Sequence, residues 1–84
     1  MKTVGSIVRD CRIGKNLSQV KLAEKMGWTG QFVSNIERGI AEIPDAKVKK
    51  VAKLLSIDYI DLLLLKYRSR LQKHGLEVNK KKGS

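Results

Sequence analysis

A single cysteine and a single histidine are the first limits this chain sets. With Cys11 alone, no disulfide can close within the chain and no cysteine cluster can hold zinc. His74 has no partner set around it of the kind a hydrolytic triad or a metal site needs, since serine, threonine and acidic residues fall mainly at helix starts. A glycine-rich phosphate loop is also lacking. These absences argue against an enzyme, and no metal, cofactor or small-molecule ligand is expected. The longest apolar run is Leu62 to Leu65, far short of the roughly 20 residues a bilayer span requires. Residues 1–10 have no apolar stretch long enough for a signal peptide. The expectation is a soluble, cytoplasmic protein without a membrane partner. Only one proline is present, Pro44, and no alternating strand pattern reaches useful length, so an all-α chain is expected.

Acids are scarce as well. Asp and Glu number 8 against 18 Lys and Arg, a formal net charge of +10 over 84 residues. Such an excess favours a polyanion partner, with nucleic acid first. The charge is uneven: residues 1–65 carry 11 bases and 7 acids, whereas residues 66–84 carry 7 bases and one acid. The length allows one domain with one core.

Helical spacing organises the rest. Thr3 is placed to cap a first helix whose apolar face is Val4, Ile7, Val8 and Cys11, which makes Cys11 a packed thiol. Gly14 and Asn16 mark its end. Ser18 is a strong N-cap for a second helix with Leu22, Ala23 and Met26 inward, and Gly27 ends it. Thr29 caps a third helix from about Gly30 to Arg38, with Val33 and Ile36 inward and Gly39 as its stop. Two short helices joined by a tight turn, with small Ala23 set to meet branched Val33, form a helix-turn-helix. A fourth helix starts near Asp45 and buries Val48, Val51, Ala52 and Leu55. Asp58 caps a fifth, with Asp61 in a capping-box-like position. On it Tyr59, Leu62 and Leu63 close the core, while Ile60, Leu64, Tyr67 and Leu71 make a second apolar stripe. The bases Lys66, Arg68, Arg70 and Lys73 alternate with that stripe, as a solvated face or as added affinity for DNA or an acidic partner. The domain reads as residues 1–75, ending with this extended helix near Gly75, and residues 76–84 as a basic flexible tail.

Leu17-Ser18-Gln19, Leu22-Ala23, Met26-Gly27, the Val33 to Ile36 spacing, Ile36-Glu37-Arg38-Gly39, Pro44 and Val51-Ala52-Lys53-Leu54-Leu55 together carry a resemblance. Over Val4 to Leu65 the chain resembles the Cro/repressor-type (XRE) helix-turn-helix family, which includes the lambda and 434 phage repressors. The resemblance implies a five-helix, lambda-repressor-like DNA-binding domain in which the third helix reads bases. It implies that Gln19 bonds a phosphate and touches the start of the third helix. Gln31 and Asn35 are implied as base readers, most naturally of adenine N6 and N7. Ser34 would serve a base or a phosphate, Arg38 a phosphate, and Ser18 and Thr29 the helix starts at the DNA surface. Arg12 and Glu37 match a pair that ties the first helix to the third.

Some positions depart from the family. Gly30 stands where relatives often carry a base-reading side chain, so its role would be to let the backbone come close to DNA. Phe32 is open to two readings, contact with a thymine methyl or packing beside Trp28. Glu42 and Asp45 stand where several relatives have Lys or Arg, which argues against minor-groove contact from that loop and leaves Lys47, Lys49 and Lys50 as the nearest backbone-binding bases. The stripe Ile60, Leu64, Tyr67 and Leu71 is read as a dimer seam. The function expected from all this is a sequence-specific transcriptional regulator, a repressor binding double-stranded DNA at a palindromic operator as a homodimer. The alternative is an antitoxin or protein-interaction module using the same stripe.

Overall fold

The computed structural model describes residues 2–69 and residue 71. Among them there are five helices and no strand: α1 (Val4–Gly14), α2 (Gln19–Met26), α3 (Gly30–Glu37), α4 (Asp45–Leu55) and α5, helical over residues 59–69. The expected end of α5 near Gly75 and the basic tail 76–84 lie outside the described residues.

Short-range chemistry sets where these helices begin. Thr3 and Ser6 form a reciprocal capping box, each hydroxyl accepting the other's backbone N–H at 3.0 Å. The Ser18 hydroxyl accepts from the Lys21 N–H at 3.0 Å, and the Thr29 hydroxyl from the Phe32 N–H at 3.1 Å. A carboxylate oxygen of Asp58 accepts from the Asp61 N–H at 3.0 Å. At α4 the N-cap position is Pro44, which offers no side-chain bond; Asp45 in its first turn supplies favourable charge to the helix dipole instead.

The helix ends share one device. Asn16, Gly27 and Ser56 all have positive φ after α1, α2 and α4, at 58°, 73° and 57°. The next residue's N–H then reaches back five residues: Leu17 to the Arg12 carbonyl (3.0 Å), Trp28 to that of Ala23 (2.8 Å) and Ile57 to that of Ala52 (2.8 Å). Leu17, Trp28 and Ile57 each pack on the core from that position. A serine in the sequence gives no sign of the left-handed conformation that Ser56 adopts.

The core gathers Val8, Leu22, Ala23, Met26, Val33 and Ile36 from the first three helices with Ile43, the inner face of α4 and Leu62 of α5. α3 packs on both α1 and α2, and α1 also meets α4. The inner face of α1 is rotated from the expected one. Its buried residues are Gly5, Val8 and Arg12. Val4 and Cys11 pack against the core from its edge, and Ile7 is only half-buried.

α5 departs from expectation in two places. Tyr59, in the first turn, is 37% exposed and does not close the core. Lys66, expected on a solvated basic face, is only 4% exposed. Its ammonium donates to the Ile43 carbonyl and to the Asp45 carboxylate. Residues 62 and 66 are one turn apart, so the lysine follows Leu62 on the inward side and clamps α5 to the loop before α4. The stripe Ile60, Leu64, Tyr67 and Leu71 is exposed as expected, at 54%, 60%, 42% and 68%. Arg68 is exposed; the side chain of Arg70, and Lys73 altogether, lie outside the described residues.

Candidate nucleic-acid interface

The candidate site is built from α2, the turn 27–29 and α3. Gly27 reverses the chain in a conformation that glycine adopts without strain. Thr29 then restarts a helix at once. Ala23 and Val33 are both buried where α2 meets α3, so the small residue lets the two backbones approach. With Val33 and Ile36 held inward, helical geometry turns Gln31 and Asn35 away from the core.

Gln31 is exposed and Asn35 half-buried. The Gln31 side-chain amide donates to the Asn35 side-chain oxygen at 3.0 Å. This i, i+4 bond orders two long polar side chains into one edge. The Gln31 side-chain oxygen and the Asn35 side-chain nitrogen take no part in that bond, so the edge offers both an acceptor and donors, the chemistry adenine's N6 and N7 would match. Ser34 is half-buried, Arg38 is exposed at the C-cap of α3, and Lys47 is half-buried on α4. Ser18 and Thr29 are exposed with their hydroxyls engaged as caps.

Gln19, Phe32 and Gly30 each have a contact within the domain. The Gln19 side-chain amide donates at 3.1 Å to the carboxylate of Glu37, the last residue of α3. Phe32 is half-buried, and its ring meets that of Trp28 edge-on with centroids 4.9 Å apart, which is the packing reading and not the groove-facing one. Gly30 lies against Val20: a Cβ built there would be 3.4 Å from the Val20 Cγ2.

Behind this surface lies the ion pair. Arg12 donates from Nε to one Glu37 oxygen at 2.6 Å and from Nη2 to the other at 3.1 Å, and from Nη1 to the Leu17 carbonyl at 2.7 Å. The side chains are 11% and 4% exposed. With Gln19 bonded to the same carboxylate, α1, α2 and α3 meet at one buried charge, and every buried side-chain nitrogen or oxygen among the described residues has a partner.

Sequence reasoning missed Gly5 and Lys66. At Gly5 a Cβ would fall 2.4 Å from the Glu37 carbonyl oxygen and 2.6 Å from that of Ile36. The available signal was a glycine inside a helix, where alanine would be favoured by about 0.8–1 kcal/mol. For Lys66 no local signal exists. Among the described residues no group of His, Cys, Asp or Glu could hold a metal, and no helix is long and apolar enough to cross a membrane.

Comparison with known proteins agrees with this geometry. The family model described as helix-turn-helix matches residues 8–62. Control protein C.BamHI from Bacillus amyloliquefaciens is 37% identical over 60 residues, covering 70% of this chain and 74% of that protein. The crystal structure of the clp gene regulator ClgR from Corynebacterium glutamicum superposes with a TM-score of 0.65, covering 92% of this chain and 83% of that one. Sequence identity to ClgR is 24%, so that likeness bears on the fold.

Proposed function

Because this chain belongs to the XRE-type helix-turn-helix family and is a DNA-binding transcriptional regulator, we propose that it is a repressor that occupies a palindromic operator as a homodimer. The observation that carries the reading is the outward Gln31–Asn35 edge on a helix whose other side is locked in the core. In this reading α3 enters the major groove, with Gln31 and Asn35 on base edges and Ser34 on a base or a phosphate. Ser18, Gln19, Thr29, Arg38 and Lys47 set the register on phosphates, with Gly30 letting the backbone come near. The Gln19 amide has one hydrogen left after its bond to Glu37, which suits it to a phosphate oxygen while it braces α3.

The exposed stripe Ile60, Leu64, Tyr67 and Leu71 supports the dimer. It is an apolar line on one face of α5 in which Ile60, Leu64 and Leu71 are each more than half exposed. A second copy would bury it and set two recognition helices about 34–36 Å apart, one turn of DNA. One module with two base-reading side chains specifies few bases, and two modules supply the missing selectivity.

Selection of bound duplexes from a random pool tests the reading, and two-fold symmetric sites are the expected product. Binding should weaken with salt at a slope of about −0.9 per neutralised phosphate. Gln31→Ala should keep the melting temperature and relax preference at one base position per half-site, at a cost of about 1–3 kcal/mol. Wild-type protein that shows no preference over random duplex removes the role of Gln31. Leu64→Glu should give a folded monomer by sedimentation and circular dichroism, with weakened binding to the symmetric site. A wild-type monomer that binds that site at full affinity refutes the dimer. A wild-type monomer that captures a different, neighbouring-gene protein through this stripe supports the antitoxin-like alternative instead.

A further inference from the structure

Val20, the second residue of α2, is 59% exposed although apolar. Other exposed apolar side chains, such as Ile13 and Ile40, are of a kind any protein surface shows singly. Val20 differs in its seat. Its Cγ2 would be 3.4 Å from a Cβ on Gly30, the first residue of α3. The Val20 methyl therefore flanks a position that carries no side chain, and a longer residue at 30 would lie over it. The outcome is an apolar ledge, one side chain wide, at the N-terminal end of the helix that presents Gln31.

In helix-turn-helix docking the N-terminal residues of the second helix meet base edges. The major groove displays one apolar group among its hydrogen-bonding atoms, the C5-methyl of thymine. Phe32, the other apolar side chain available at this end of α3, is turned onto Trp28. The geometry points to Val20, uncovered by Gly30, as a specificity-determining residue that reads a thymine methyl. This rests on the DNA-reading assignment above and adds to it a base contact from α2.

The test removes single methyl groups. In the duplex recovered by selection with the wild-type chain, each thymine is replaced in turn by deoxyuridine, which lacks only the C5-methyl. Binding is followed by fluorescence anisotropy at fixed salt. One thymine in each half-site is expected to respond with about a fourfold loss of affinity, the size of one methyl's apolar burial. Val20→Ala is expected to fold normally, since the position is exposed and alanine is the better helix former. It should bind the thymine duplex about fourfold more weakly and be indifferent to deoxyuridine at that position. A half-site with no thymine on either strand overturns the inference, as does a flat deoxyuridine scan. An unchanged response in Val20→Ala also overturns it and assigns the methyl to another side chain. In all three cases sequence-selective binding still stands. A selection that yields no consensus sinks the DNA-reading proposal and this inference together.

Discussion

Glu37→Ala is expected to lower unfolding stability by about 3–5 kcal/mol, because it leaves the Arg12 guanidinium buried without its partner. The carboxylate is engaged by two Arg12 nitrogens and by Gln19. It also closes the C-terminal end of α3, where a negative charge opposes the helix dipole. A glutamate is therefore a poor residue for that position on local grounds and is justified only by Arg12. For a domain of this size a loss of 1 kcal/mol shifts the melting midpoint by about 4–8 °C, so a fall of more than about 12 °C is expected. The fraction that stays folded should prefer the same bases as wild type, since Glu37 lies behind the Gln31–Asn35 edge. Replacing both partners, as in Arg12→Met with Glu37→Leu, should recover much of the loss, because two apolar side chains leave no lone charge. Recovery stays partial because the Leu17 carbonyl also loses its Arg12 donor. An unchanged midpoint together with altered base preference in Glu37→Ala would reverse the assignment and make Glu37 a recognition residue.

Gly5→Ala tests the other contact between α1 and α3. Helix propensity alone favours alanine by about 0.8–1 kcal/mol. Packing opposes it: the new methyl would fall 2.4 Å and 2.6 Å from the Glu37 and Ile36 carbonyl oxygens and 2.8 Å from the Glu37 carbonyl carbon. All three are backbone atoms, so no side chain can swing aside and α1 has to move as a unit. Overpacking of this kind costs about 1–3 kcal/mol or more. Movement of α1 also draws Arg12, two turns further along the same face, off Glu37. With the propensity gain subtracted, a net loss of up to about 2 kcal/mol is expected in urea or thermal unfolding. Gly14→Ala is the control, since nothing lies within 4 Å of a Cβ at that position; its midpoint should hold or rise. A rise for Gly5→Ala as well would mean that α1 sits further from α3 than described.

Both variants act at contacts that hydropathy does not report. The centre of the inward face of α1 is Gly5, Val8 and Arg12, a glycine and a charge around one valine. An apolar pattern weighted Val4, Ile7 and Cys11 instead and so rotated the face toward its edge. On α5 the same rule placed Leu62 correctly but put Lys66 in solvent and Tyr59 in the core. Lysine is rarely buried unless paired, and the groups that pair it, the Ile43 carbonyl and the Asp45 carboxylate, are 23 and 21 residues away.

The sequence by itself determined where α1, α2, α3 and α5 begin, the turn between α2 and α3 and the outward placement of Gln31 and Asn35. Each depends on chemistry within about five residues: a hydroxyl over the N–H three positions on, a left-handed residue after the last turn, an apolar pair that turns its neighbours outward. Only the tertiary structure decided what stands behind that edge and beside it. The approach of α1 to the end of α3, the Gln19 bond to Glu37, the Lys66 clamp and the bare Val20 beside Gly30 join residues from separate helices and loops. Their chemistry is set by how the elements pack, and short-range patterns carry no record of distance between elements.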